Sequence, residues 1–196
     1  MPENRYAAFI DACALAGALK RNLLLTLAEA EFFRIRWSTA VLDETQNAIE
    51  AILTEKCVED ARGAALRARN AMERAFEDAL VTDFDALRRA CEGLPDPNDI
   101  HVLAAALKTQ AAVIVTDNLR DFPTEILAPM NIAAQSTDGF IAETIAPHKD
   151  RAVAAIRTMR ERFQRPDMTA EQLLLKMEAV GLTRTVAAFK PHVKSL

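Results

Sequence analysis

The sequence predicts an α/β protein with a mostly parallel central sheet and flanking helices, and three observations carry that reading. Short apolar runs of strand length alternate with helix-length amphipathic stretches, the pattern of a sheet covered by helices. The run Ala112–Val115 is apolar without interruption, as expected of a strand buried on both faces. After Pro147 the sign of the charge reverses and only helical patterns remain, which predicts a small helical extension on the α/β body.

In order, Tyr6–Ile10 reads as a short buried strand, and the Ala- and Leu-rich stretch Ala12–Leu27 as one helix. Residues 32–37 alternate as a second strand, after which Ser38 or Thr39 caps a helix to about Glu55. Residues 60–80 read as a long amphipathic helix and 83–92 as a shorter one. Pro95 and Pro97 force extended backbone before them, so a helix opens at Asp96 or Asn98 and runs to about Thr109. Ala112–Val115 and Asn131–Gln135 complete the strands, and Ser136 or Thr137 caps a helix to Ile145. Beyond Pro147, helices are expected over 149–164, 169–180 and 182–190, with Pro166 and Gly181 between them.

The 196 residues suffice for one full domain and an appendage. No apolar stretch reaches the roughly 20 residues a membrane helix needs. The start Met-Pro-Glu-Asn-Arg-Tyr lacks the apolar core of a signal peptide, so a cytoplasmic protein is expected. Cys13, Cys57 and Cys91 are widely spaced and fit neither a disulfide framework nor a zinc knuckle; reduced, mostly buried thiols are expected. The net charge of −4 argues against a general nucleic-acid binder. Its distribution is uneven: residues 1–147 carry 14 Lys and Arg against 23 Asp and Glu, a net of −9, and residues 148–196 carry 10 against 5, a net of +5. The basic piece fits either a solvated helix face or a surface for a polyanion.

Four carboxylates stand at positions that pattern reads as buried. Asp11 ends the run Ala7–Ile10, and Asp117 follows the apolar strand and Thr116. Glu44 falls on the stripe Val41, Ala48, Ile49, Ile52, and Asp99 begins the stripe Val102, Leu103, Ala106, Leu107. A buried acid loses hydration worth several kcal/mol unless compensated, so four of them point to a shared cation. Ligands of parallel sheets lie beyond the carboxyl ends of strands, which brings Asp11 and Asp117 to one edge. Asp11 and Asp99 are the expected direct ligands, and Glu44 acts through water or as a general base. Thr116 and Asn118 orient water or phosphate oxygens, or simply build a turn. His101, two residues after Asp99, turns about 200° away on a helix and is read as a local packing or hydrogen-bonding residue. Trp37 is read as core. Arg62, Arg67, Arg69 and Arg74, with Arg151, Arg157, Arg160, Arg162 and Arg165 in the extension, are candidate phosphate contacts.

The segment from Asp96 through Ala106, reading Asp-Pro-Asn-Asp-Ile-His-Val-Leu-Ala-Ala-Ala, followed by Val113 through Pro123, resembles the PIN-domain signature. Phe9-Ile10-Asp11 and the stretch Ser38 through Glu44 are similar to its earlier parts, and the resemblance covers about residues 5–145. It is nearest to VapC-type toxins with a helical C-terminal extension. The resemblance implies a PIN-like three-layer fold over 1–146 with the extension at 147–196. It implies an endoribonuclease dependent on Mg²⁺, or Mn²⁺, leaving 5′-phosphate and 3′-hydroxyl ends, as the toxin of a type II toxin–antitoxin pair. Carried over by position, Asp11, Glu44 and Asp99 are the first three acids of the site. The fourth is Asp117, with Asn118 and Asp121 as alternatives. A homodimer and an antitoxin that blocks the acidic site with a basic tail are further implications. Two other readings stand beside it. One is a phosphotransferase with Asp11 as nucleophile, disfavoured because Cys13 stands where a second Asp is wanted. The other is a catalytically idle protein that binds RNA or a protein partner.

Overall fold

The computed structural model describes residues 6–163 and 168–196. Its centre is a sheet of four parallel strands: β1 (Ala7–Ile10), β2 (Arg34–Arg36), β3 (Val113–Val115) and β4 (Ala133–Gln135), in the order β2-β1-β3-β4. Every residue of β1 and β3 is buried, as their unbroken apolar sequence requires. Ala8, Phe9 and Ile10 stand in register with Val113, Ile114 and Val115. The chain leaves β1 for β2 on one side and crosses to β3 on the other. The carboxyl ends of β1 and β3 therefore flank the point where the strand order reverses. Beyond β2, Trp37 N–H donates to Ala79 O (3.0 Å) and Val81 N–H to Trp37 O (2.8 Å), extending that edge with a parallel bridge to Leu80.

The stretch expected as one helix after β1 is two, α1 (Ala12–Ala16) and α2 (Ala18–Glu29), divided at Gly17 in extended backbone. The carbonyls that this break strands are taken by Arg21, whose Nη1 donates to Leu15 O (2.8 Å) and Ala16 O (3.1 Å). Helix α3 (Thr39–Glu55) is capped by Ser38, and α4 (Ala61–Ala75) by Asp60. The expected helix through residue 80 stops at Phe76, because the chain must turn back to bridge Trp37. Residues 85–91 form a 3-10 helix in place of the short α-helix expected there. The turn Pro97–Asp99, capped by Asp96, leads into α5 (Ile100–Lys108), and a short α6 (Thr124–Leu127) precedes β4.

Ser136 caps α7 (Thr137–Ile145), which is followed by α8 (Lys149–Glu161), α9 (Ala170–Ala179) and α10 (Thr183–Phe189). Thr169 and Gln172 form a full capping box at the start of α9. Arg165 and Pro166 lie outside the described residues. One hydrophobic cluster runs from β1 through α5 into Ile156 of α8, Leu173 and Met177 of α9 and Leu196. Polar contacts fasten the extension as well. The carboxylate of Asp138 on α7 accepts from the Arg184 and Thr185 N–H groups (both 2.8 Å) and the Thr185 hydroxyl (2.8 Å).

Trp37 is fully buried, as expected. The three cysteines are free, but only Cys91 is buried; Cys13 and Cys57 are exposed. The expectation of mostly buried thiols is thus corrected: Cys57 sits on the turn that ends α3, and Cys13 at the rim of the sheet. Among the described residues, no helix is long and apolar enough to cross a membrane.

Candidate functional site

Asp11 is the first residue beyond β1, 7% exposed, and it caps α1. Its Oδ1 accepts from Ala12 N–H (2.7 Å); its Oδ2 accepts from the Thr116 hydroxyl (2.7 Å) and the Cys13 thiol (3.1 Å). A carboxylate offers about four lone-pair sites, so Asp11 keeps one for a further partner. Thr116, fully buried beyond β3, ties the two central strand ends together across the reversal point. Cys13 is exposed as a residue, but its sulfur lies against Asp11, Thr116 and the Asp117 N–H. Desolvation there, and then the negative charge of Asp11, push the thiol up to about 12, so it stays protonated as a donor.

Asp99 enters the same space from the start of α5. Its Oδ2 is buried and has no hydrogen-bond partner. Desolvation, and then the charges of Asp11, Asp96 and Asp121, raise its carboxyl from the ordinary 3.8 to about 6, with His101 opposing. Oxygens of Asp96, Asp99 and Asp121 lie within 4.8 Å of one another. Oxygens that ligate one Mg²⁺ at about 2.1 Å are at most roughly 4.2 Å apart, so a modest side-chain rotation would bring this set onto one ion. The orphaned oxygen, the mutual repulsion and the all-oxygen donor set together fit a hard divalent cation.

The remaining expected residues fall into two groups. Asn118 joins the cluster: its Nδ2 donates to Asp121, and its backbone N–H donates to Thr116 Oγ1 (3.1 Å). Arg120 lies at the rim, with Nε donating to Asn118 Oδ1 (3.1 Å). Asp117 and Glu44, by contrast, are exposed where pattern reads them as buried. Asp117 Oδ2 pairs with Lys20 Nζ (2.7 Å), and Oδ1 accepts from Thr137 N–H (3.0 Å). Partial burial pushes its pKa up, but the bonds from Lys20 and Thr137 outweigh that and hold it below the ordinary value. Glu44 is 48% exposed, and its Oε1 lies 2.9 Å from Nε2 of His101.

Two residues that the sequence reads as local, Asp96 and His101, stand beside the site. Asp96 reads as a cap and is one, with Oδ1 accepting from Asn98 N–H (2.9 Å), yet it also faces Asp99 and Asp121. The i, i+3 spacing of Asp96 and Asp99 over a proline turn was the available signal. The partner of His101 is Glu44 of a different helix, α3, and no local pattern encodes that contact.

Among the described residues, the candidate arginines of the extension are committed to structure. Arg160 donates to Leu196 O (2.9 Å) and Met168 O (2.7 Å), Arg162 pairs with Glu29 (3.1 Å), and Arg157 with Glu161 (2.9 Å). Arg151 stacks 4.4 Å from the Phe32 ring centroid. On α4, Arg67 pairs with Asp60 (2.8 Å) and Arg69 with Asp43. A groove of about 870 Å³ between α2, α4 and α8 is lined by Leu25, Met72, Phe76, Met159 and Phe163 and holds none of the clustered acids.

Family profiles match both parts of the chain. The family profile described as "PIN domain" matches residues 7–120, and that described as "VapC50 C-terminal domain" matches residues 137–191. Over 76 residues the chain is 38% identical to a Mycobacterium tuberculosis protein named "Putative ribonuclease VapC50", covering 39% of this chain and 45% of that protein. The match thus spans less than half of that curated relative. No solved structure matches the chain.

Proposed function

The chain belongs to the PIN-domain family, and from that premise we propose that it is a metal-dependent endoribonuclease. The observation that carries the proposal is the buried, unpartnered Oδ2 of Asp99, set among Asp11, Asp96 and Asp121 at the reversal point of a parallel sheet. We assign Asp11, Asp99 and Asp121 to hold the cation, Mg²⁺ or Mn²⁺, with Asp96 beside them. When bound, the cation supplies neutralisation of charge building on a phosphodiester and a coordinated water of lowered pKa.

The chain's own residues do the rest. Thr116 fixes one oxygen of Asp11 and leaves the other partly open. Asn118 orients Asp121 and is itself anchored to Thr116, so the turn after β3 positions the fourth acid as a unit. Asp117 is assigned to support, bracing Lys20 and the start of α7. Glu44, bonded to His101 of the helix that Asp99 starts, is assigned to act as a base or through water. Arg120, exposed and lying against Asn118 and Asp121, is assigned to contact a substrate phosphate.

We further propose that the protein is the toxin of a type II toxin–antitoxin pair, a homodimer in the cytoplasm, blocked by a basic segment of its antitoxin. The supports are the profile matched by residues 137–191 and the name of the relative. The body, residues 1–146, would carry the chemistry, and residues 147–196 would brace it.

The test is cleavage of RNA by the purified protein. Cleavage that EDTA abolishes, that Mg²⁺ or Mn²⁺ restores and that Asp99→Asn loses supports the assignment. Full cleavage in EDTA, or by Asp99→Asn, overturns it. An idle binding protein would instead show no cation-dependent rise in melting temperature. Co-purification with the product of the adjacent gene, and light scattering for the dimer, test the remaining parts.

A further inference from the structure

We infer that His101 is a positioning residue of the acid site, holding the Glu44 carboxylate in its working orientation through the bond between Nε2 and Oε1. The inference rests on the nuclease reading and deepens it. Glu44 sits on the outer face of α3, 48% exposed, where a glutamate left to itself samples many rotamers. His101 has no such freedom. It is the second residue of α5, 8% exposed and packed among buried helix residues. The 2.9 Å contact therefore transfers the rigidity of α5 to a side chain of α3.

The direction of the bond follows from the partner. A carboxylate only accepts, so the 2.9 Å contact requires a proton on Nε2, donated to Glu44. One oxygen of Glu44 is thereby occupied, and the other is left for water or cation.

A single short helix thus sets two acids. Asp99 stands directly at its start, and Glu44 is held through an imidazole two residues further on. Their separation is fixed by α5, not by the rotamer preferences of α3. A partner that orients a metal-site carboxylate typically changes metal affinity or activity 10- to 100-fold when removed.

The experiment compares His101→Ala, His101→Gln and His101→Asn in the full chain, with Glu44→Gln and each double variant. It reads the Mn²⁺ dissociation constant from melting temperature, and kcat and KM separately on RNA. The side-chain amide of Gln can stand where Nε2 stands, whereas that of Asn stands nearer Nδ1. A positioning role gives His101→Ala and His101→Asn a loss of roughly 10- to 100-fold in Mn²⁺ affinity or kcat. His101→Gln then recovers most of that loss, KM stays near the parent value, and no further loss appears in the Glu44→Gln background. Equal behaviour of the Gln and Asn variants, or the same loss with and without Glu44, overturns the inference. If His101→Ala fails to fold, the contrast between Gln and Asn decides alone. Asp99→Asn separates the two readings. If it retains cleavage, the nuclease reading itself fails; if it is inactive while all His101 variants match the parent, only this inference fails.

Discussion

Asp99 bears the electrostatic strain of the acid cluster, and the strain has a pH signature. Without a cation its carboxyl keeps a proton up to about 6 in the folded chain, against an ordinary value of 3.8 when unfolded. Between those values the folded state binds more protons, so stability falls as pH rises through the window and levels off above it. Asp99→Asn should remove that slope, melt higher than the parent at neutral pH without metal, and lose RNA cleavage roughly 100-fold or more. Melting curves from about pH 4 to about pH 7 check this, and an identical slope in both proteins would falsify the account. Asp117→Asn should behave in the opposite sense: cleavage within about threefold of the parent, and stability lower by about 1 kcal/mol from the weakened bonds to Lys20 and Thr137. Asp11 and Asp99 were legible in the sequence because each sits where an apolar pattern meets an element terminus. The exposure of Glu44 and Asp117 was not, since an acid beside an apolar stripe can turn either way until a partner such as His101 or Lys20 is in place.

Helix α7 meets α10 through Asp138, whose carboxylate caps the start of a helix more than forty residues away in sequence. Charge-assisted bonds to N–H groups are worth about 1.5–3 kcal/mol each, less whatever water recovers. Asp138→Ala should therefore cost about 2 kcal/mol in chemical denaturation while leaving cleavage rates near the parent at permissive temperature. A loss below a few tenths of a kcal/mol would show that the cap is dispensable. Elements such as α3 and α9 were readable because their caps, Ser38 and Thr169, lie adjacent to the periodic stretch they start. The break at Gly17 was hidden, because Ala- and Leu-rich sequence favours helix on both sides and the compensation comes from Arg21 in the next helix. Residues 76–80 depart from the expected helix for a related reason. Their helical composition yields to the bridge between Leu80 and Trp37, a contact distant in sequence.

The body and the extension share one hydrophobic cluster, so the boundary that charge suggests at residue 147 is not a seam in the packing. Ala152, Val153, Ile156 and Met159 of α8 are all buried, and a chain ending after Ala146 would uncover the surfaces they cover. Such a truncation should be insoluble or unfolded by circular dichroism; a well-folded, active fragment would contradict this packing. The placement of α5 has a consequence of its own. From His101 to Ala106 every residue of that helix is buried, beneath the sheet's two middle strands and the turn at 85–91. Its amide protons should exchange with solvent only when the entire molecule opens, as the slowest class in the chain. The scaffold under the acids would then have no partly open form, and catalytic competence would be lost at the same denaturant concentration as the last protected amide.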